Sequence, residues 1–205
     1  MTKLYQPDQK LAVLPGIFRT GIKGLWYLER KSFADERGFF AEIAYMDKIG
    51  KVSGRPFVIK QVNHSRSSQH VVRGMHAEDW RKLITVTSGA AFCALADVRP
   101  DSATFSQTVC FNLGIDDGGL RGSLFVEEGV ANSFCVVSGA VDYFYCVDRL
   151  YTERNLQGDV AISLFDPDLN IKWPLAREQM ILSKRDKNSV TLRERFPEKF
   201  KGNNK

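Results

Sequence analysis

No Cys-x-x-Cys pair occurs in the chain; Cys93, Cys110, Cys135 and Cys146 stand singly inside apolar runs such as AFCALAD and NSFCVVS. That placement suits buried reduced thiols and argues against a thioredoxin-like redox pair, a disulfide framework or a cysteine zinc site. Histidine is scarce as well. His64, His70 and His76 are the three present, with no His-x-His pair and no His-Glu-x-x-His, so no cofactor is expected, metal ions included. The Gly-x-Gly-x-x-Gly of dinucleotide folds, the P-loop and the Gly-x-Ser-x-Gly elbow are all missing, which removes the enzyme classes that depend on them. No apolar stretch reaches membrane-spanning length, and the polar opening MTKLYQPDQK is not followed by a secretory core. Neither a membrane partner nor export is expected, and the reading is cytoplasmic. A dominant charge is also lacking, since 29 basic residues are interleaved with 24 acidic ones, a net +5. That balance permits an acidic partner, nucleic acid or a phosphorylated small molecule. Without a basic-aromatic stripe or an RNP-like motif, nucleic acid rests on charge alone and is not expected as a partner.

What the chain does hold is strand signal. From Val58 to Ser163, segments such as FVIKQVNHS, VVRGMHAE, KLITVTSG, AFCALADV, QTVCFNL, SLFVEEG, NSFCVVSG and VDYFYCVD are rich in Val, Ile, Phe, Tyr and Thr. Gly-, Ser-, Asn- and Asp-containing breaks separate them at short intervals, the spacing of an antiparallel sandwich or barrel rather than of βαβ units. TSGAAF and VSGAVD read as tight hairpin turns. Helix is expected near YMDKIGKVSG and in one or two short pieces near the C-terminus, while FDPDLNIKWPL, with two prolines, should be irregular. With no repeat or low-complexity tract, residues 1–205 read as one domain, with a core over 25–190 and a solvated tail over 191–205.

The stretch HVVRGMHAEDWRKL places Arg73, His76 and Lys82 close together. Either it is an ordinary strand with a solvated charged rim, or the cations hold a phosphorylated substrate while His76 moves a proton. Strict alternation sets Val71, Arg73 and Met75 on one face and Val72, Gly74 and His76 on the other. Arg73 and His76 then share a pocket only if a bulge at Gly74 re-aims the strand, or if one of them serves a neighbouring subunit. In FADERGFFAE, Arg37 is either part of a charged turn or a phosphate fork flanked by Phe39 and Phe40. In VDYFYCVDRLY, Tyr143 and Tyr145 share a strand face, as core aromatics or as pocket-lining proton donors.

Read in order, FADERGFFAE, KQVNHSRSS, VVRGMHAE, the following KL, ADVRPDSATFSQ, VEEGVANSFCVVS, DYFYCV, IKWPL and ILSKRD resemble the dTDP-4-dehydrorhamnose 3,5-epimerase family. The resemblance covers residues 25–190. It implies an all-β, cupin-like antiparallel jelly roll with a few short peripheral helices, a homodimer that exchanges strands, and no metal. It also implies a nucleoside-diphosphate 4-keto-6-deoxy sugar as substrate, inverted at C3, C5 or both. A hydrogen α to a ketone is a weak acid, so such an enzyme needs a base, an enolate stabiliser and an acid on the opposite face. The resemblance assigns these roles to His76 as base, Asp186 as its orienter, Lys82 as stabiliser and Tyr145 as acid. It carries substrate contacts to Arg37, Glu42, Gln61, Asn63, Arg73 and Arg185. This chain departs from the family pattern in three places. The stretch from His76 to Lys82 is shorter than in long-loop members, Asn132 in ANSF replaces a histidine that contacts substrate, and Gln157 in ERNLQGD replaces the family's acidic contact. A jelly-roll protein that binds a nucleotide sugar without turning it over is the rival reading. Retention of both His76 and Asp186 favours the enzyme, and Asn132 is expected in the pocket.

Overall fold

The computed structural model describes residues 3–115, 118–155 and 158–201. In chain order the first strands are β1 (Ala12–Leu14), β2 (Ile17–Arg19), β3 (Leu25–Glu29), β4 (Lys31–Asp35), β5 (Gly38–Glu42), β6 (Gln61–Ser68) and β7 (Val72–Ala77). They are followed by β8 (Lys82–Ser88), β9 (Ala90–Asp97), β10 (Thr108–Gly114), β11 (Gly122–Val126), β12 (Val130–Val136), β13 (Ala140–Val147) and β14 (Val160–Ala161). Helices are short: α1 (Met46–Ser53), α2 (Lys184–Lys187) and α3 (Leu192–Arg195). A seven-stranded sheet runs β1-β2-β3-β11-β8-β13-β6 and a five-stranded sheet β10-β9-β12-β7-β14, while β4 and β5 form a two-stranded sheet of their own. The named strands pair antiparallel throughout. This is the antiparallel jelly roll with few short helices that the motifs implied.

Strand parity explains the packing. Ile84 and Leu124 of the larger sheet meet Leu95, Phe111 and Phe134 of the smaller one in the central core. Their neighbours Leu83 and Phe125 face outward under Ile49 of α1. On the other side, Ala94 and Cys135 face outward under Ile162, Leu164, Leu169 and Leu192 from the C-terminal segment. Both faces of the central strands are therefore covered, which is why they read as continuous apolar runs rather than alternating ones. Burying a leucine or phenylalanine contributes about 1.5–3 kcal/mol, so these three clusters supply the main stabilising term.

Two expectations need correction. TSGAAF and VSGAVD are not hairpins: β8 pairs with β11 and β13, whereas β9 pairs with β10 and β12. The chain between β8 and β9, like that between β12 and β13, crosses from one sheet to the other. Gly89 takes φ +77 at the first corner, and a Cβ there would lie 2.3 Å from the Ala140 carbonyl of the second. The two corners pack together, and only glycine fits. The tail is only partly solvated: most of residues 191–201 are exposed, but three apolar side chains among them pack inward. Thr191 caps α3 through a capping box with Glu194, Leu192 is fully buried, and Phe105 meets Phe196 edge-on and Phe200 at a tilt. Apolar residues at 192, 196 and 200 complete the cover of the five-stranded sheet.

Candidate active site

One pocket opens between the two sheets. From the five-stranded side come Arg73 and His76 on β7 and Asn132 on β12; Lys82 on β8 and Tyr143 and Tyr145 on β13 come from the seven-stranded side. Arg185 and Asp186 of α2 close one end.

The parity conflict at Arg73 and His76 is resolved by a bulge. Asn132 pairs with His76 and Phe134 with Arg73, so β7 carries one residue more than β12 over this interval. Gly74 sits at φ +128, and a Cβ there would lie 2.3 Å from Ser133 Cβ. The bulge needs glycine on both counts, and it turns Arg73 and His76 into the same pocket.

Asp186 reaches His76 because the segment before α2 runs alongside the start of β7. Ile181 accepts from Val72 N–H at 3.1 Å and donates to the His70 carbonyl at 2.8 Å. Ser183 then caps α2, its hydroxyl accepting from Asp186 N–H at 3.1 Å. The Asp186 carboxylate lies 2.7 Å from His76 Nε2 and is almost wholly buried. Burial pushes this carboxyl up, but hydrogen bonds and charge from His76, with Ser183 and the Gly74 N–H, outweigh it and hold it below the usual carboxylate value. An ionised carboxylate only accepts, so Nε2–H is the donor and the Nδ1 lone pair is left to take a proton.

The opposite wall carries a buried cation. Lys82 is 6% exposed and pairs with Glu78 at 2.5 Å, with its ammonium 5.9 Å from the centre of the Tyr145 ring. Burial, and next to it the Glu78 charge, raises the Tyr145 pKa. Tyr143 is buried, stacks on Phe134 at 4.2 Å, and donates to Asn132 Oδ1 at 3.0 Å. Asn132 therefore lines the pocket with its amide orientation fixed by a phenol.

Of the remaining candidates, Arg73 donates to Ser67 Oγ at 3.0 Å, and Arg185 forms an ion pair with Asp159. Gln61 and Asn63 do not line the pocket itself. They share the β6 face that carries Ser65 into it, linked to each other at 2.6 Å, and Gln61 accepts from Tyr151 N–H. Arg37 and Glu42 are not brought to His76. Arg37 is at the exposed tip of the β4–β5 hairpin, bound to Asp35, and Glu42 lines a separate cleft with Lys31, Tyr45 and Lys48. Gln157 lies outside the described residues. Glu78, Ser65, Tyr151 and Ser183 line the pocket without having been picked out as site residues. Glu78 was the most legible of them, lying two residues past His76.

A sequence model described as dTDP-4-dehydrorhamnose 3,5-epimerase matches residues 19–194. The dTDP-4-dehydrorhamnose 3,5-epimerase of Escherichia coli K12 is 34% identical over 87% of this chain and 95% of its own. The dTDP-4-dehydrorhamnose 3-epimerase of Streptomyces niveus is 31% identical over 85% and 82%. Among solved structures, dTDP-6-deoxy-D-glucose-3,5-epimerase of Legionella pneumophila in complex with dTDP-4-keto-L-rhamnose superposes with a TM-score of 0.78. It is 32% identical, and the match covers 89% of this chain and 95% of that one.

Proposed function

The chain belongs to the dTDP-4-dehydrorhamnose 3,5-epimerase family and is an epimerase, and from that premise we propose the roles of its residues. The substrate is a nucleoside-diphosphate 4-keto-6-deoxy sugar, and His76 takes the proton from a carbon beside the ketone. The C–H electron pair moves into the enolate, whose oxygen is met by the Lys82 ammonium. Asp186 holds the imidazole tautomer and stabilises the imidazolium that forms. Tyr145 then gives its phenol proton to the same carbon from the other side; the ketone is restored and the configuration inverted. The observation that carries this reading is the two-sheet origin of the groups. The base His76, backed by Asp186 of α2, stands on the five-stranded wall and the cation with the phenol on the seven-stranded wall, as inversion requires.

Arg73 and Arg185 suit the diphosphate, and Gln61 and Asn63, on β6 of the facing seven-stranded wall, suit the nucleoside. Arg37 and Glu42 reach a nucleotide only in a homodimer whose hairpin enters the partner's site. Exposed Phe33, Phe39 and Phe40 on that hairpin support such an interface. The unpaired cysteines suit a reducing cytoplasm. A protein that only binds nucleotide sugar is not favoured, because binding gives no reason to bury a carboxylate against a pocket histidine.

The test is proton NMR of candidate 4-keto sugar nucleotides incubated with the protein in D2O. Deuterium entering C3, C5 or both, followed by inversion, is the expected result and names the position. Tyr145→Phe should slow inversion more than exchange, since the base can still remove and return a proton on one face. Absence of exchange for every substrate would remove the assignment.

A further inference from the structure

The inference here deepens the proposed reaction and rests on that reading. Lys82 opens β8, paired with Val126 of β11 and Val147 of β13 at the end of the larger sheet, and its side chain turns into the pocket between the sheets, where little of it meets solvent. A lysine so placed needs a compensating charge. Glu78 supplies it at 2.5 Å, and both side chains are largely withdrawn from solvent. The pair depends on the brevity of the chain between β7 and β8, which returns to Lys82 four residues after Glu78. Glu78 N-terminal to this lysine also has its own backbone held, its carbonyl accepting from Gly129 N–H at 3.1 Å. The carboxylate lines the pocket alongside the two groups assigned to the enolate and to reprotonation.

We propose that Glu78 is a positioning residue for epimerisation, holding the Lys82 ammonium on the Tyr145 side of the pocket and setting the charge that the Tyr145 hydroxyl meets. Without the ion pair, the lysine side chain has several rotamers and its charge has no fixed place relative to the ketone. With it, the ammonium is pre-oriented beside the wall from which the proton returns. The carboxylate also opposes formation of a phenolate nearby. After burial it is the largest influence raising the Tyr145 pKa, while Arg73 acts in the opposite sense. Lys82, Tyr143 and Tyr151 also interact with that ring, and His76, Arg185 and Asp186 line the same pocket. A phenol that must deliver a proton has to retain it at working pH. In the step itself the Tyr145 O–H bond breaks and the enolate pair forms the new C–H bond; afterwards solvent returns a proton to the phenolate and takes one from the His76 imidazolium. Glu78 exchanges no proton with the substrate.

Glu78→Gln keeps the shape and removes the charge. Ultraviolet difference titration of the Tyr145 phenol, with Tyr145→Phe as the blank, needs no substrate. It should move about one pH unit lower in Glu78→Gln, because a carboxylate beside the phenol has been lost. The alkaline limb of the inversion rate should follow it downward, with kcat at neutral pH falling about tenfold and KM changing by less than about threefold. Glu78→Asp retains the charge but retracts from Lys82, and should lower kcat several-fold while leaving the phenol titration near wild type. Unchanged titration and kcat in a folded Glu78→Gln protein would overturn the proposal. So would a Glu78→Gln loss that is as large in the Tyr145→Phe background as alone, since a merely structural role gives that additivity. If Glu78→Gln does not fold, wild-type kcat in Glu78→Asp overturns it. If the unmodified protein exchanges no ring proton, the functional reading fails, and the phenol titration still decides whether Glu78 governs Tyr145.

Discussion

The pocket between the sheets and the β4–β5 hairpin were both singled out by motif, yet they differ in almost every physical respect. In the pocket, polar groups are buried and matched: Asp186 with His76, Lys82 with Glu78, Tyr143 with Asn132. On the hairpin, large apolar groups are exposed, with Phe33, Phe39 and Phe40 at 56%, 58% and 66%, and Arg37 pairs with its near neighbour Asp35 in the turn. A buried charge must find a partner, and these find theirs within the same chain. An exposed aromatic face is under no such constraint, and it is the kind of surface a second chain covers. On our proposal the contrast separates chemistry, which one protomer carries, from nucleotide binding, which needs two.

The sharpest way to break this contrast is to remove the base. His76→Ala should lower solvent exchange at the substrate ring by about 10²–10⁴-fold without unfolding the protein. Near-wild-type exchange would mean that the pocket is not where the proton is moved. A hairpin substitution should act differently. Arg37→Ala is expected to raise KM by about ten- to a hundredfold, the scale of charge-assisted phosphate contacts, and to change kcat by less than about threefold. Mixing the two inactive or weakened proteins tests the sharing of sites. If the hairpin serves the partner, random re-pairing of equal amounts restores about a quarter of the sites to full composition at low substrate. Activity no greater than the mean of the two parents would place Arg37 in its own chain's service.

A smaller effect is expected at Asn132. Asn132→His introduces a group able to become cationic but loses the amide oxygen that accepts from Tyr143. We expect affinity or substrate preference to change by about tenfold, equal to 1.4 kcal/mol, in a panel of 4-keto sugar nucleotides. Exchange by the histidine variant alone would make the native chain a binder. The last prediction is read in stability rather than rate. Asp186 has a folded pKa held below its unfolded value. Its contribution is present above the unfolded carboxylate pKa and is lost as pH falls through the lower folded pKa. Acid unfolding should therefore lose part of its pH dependence in Asp186→Asn, below the ordinary carboxylate range. An identical acid profile would show that the dyad does not contribute to stability.

The residues themselves determined a good deal. Runs such as AFCALADV and SLFVEEG demand burial, and their lengths and breaks suit antiparallel strands, so the all-β class followed from composition and punctuation. The ordered motifs from FADERGFFAE to LSKRD named the family and most of the pocket, because side-chain chemistry of this kind tolerates few substitutes. The tertiary structure alone decided which sheet each strand joins. Gly89 permits the same sharp reversal whether the next strand folds back as a hairpin or crosses over, and only the facing cores at Ile84 and Leu95 select the crossing. It alone decided that Gly74 is a bulge, since parity without the partner strand cannot reveal an extra residue. It also decided that residues 192–200 cover the five-stranded sheet, an outcome the charged tail sequence hides by spacing its apolar residues four apart. And it decided that Glu78 meets Lys82. Charges close in sequence read as a solvated rim until the sheets around them show that water has been excluded.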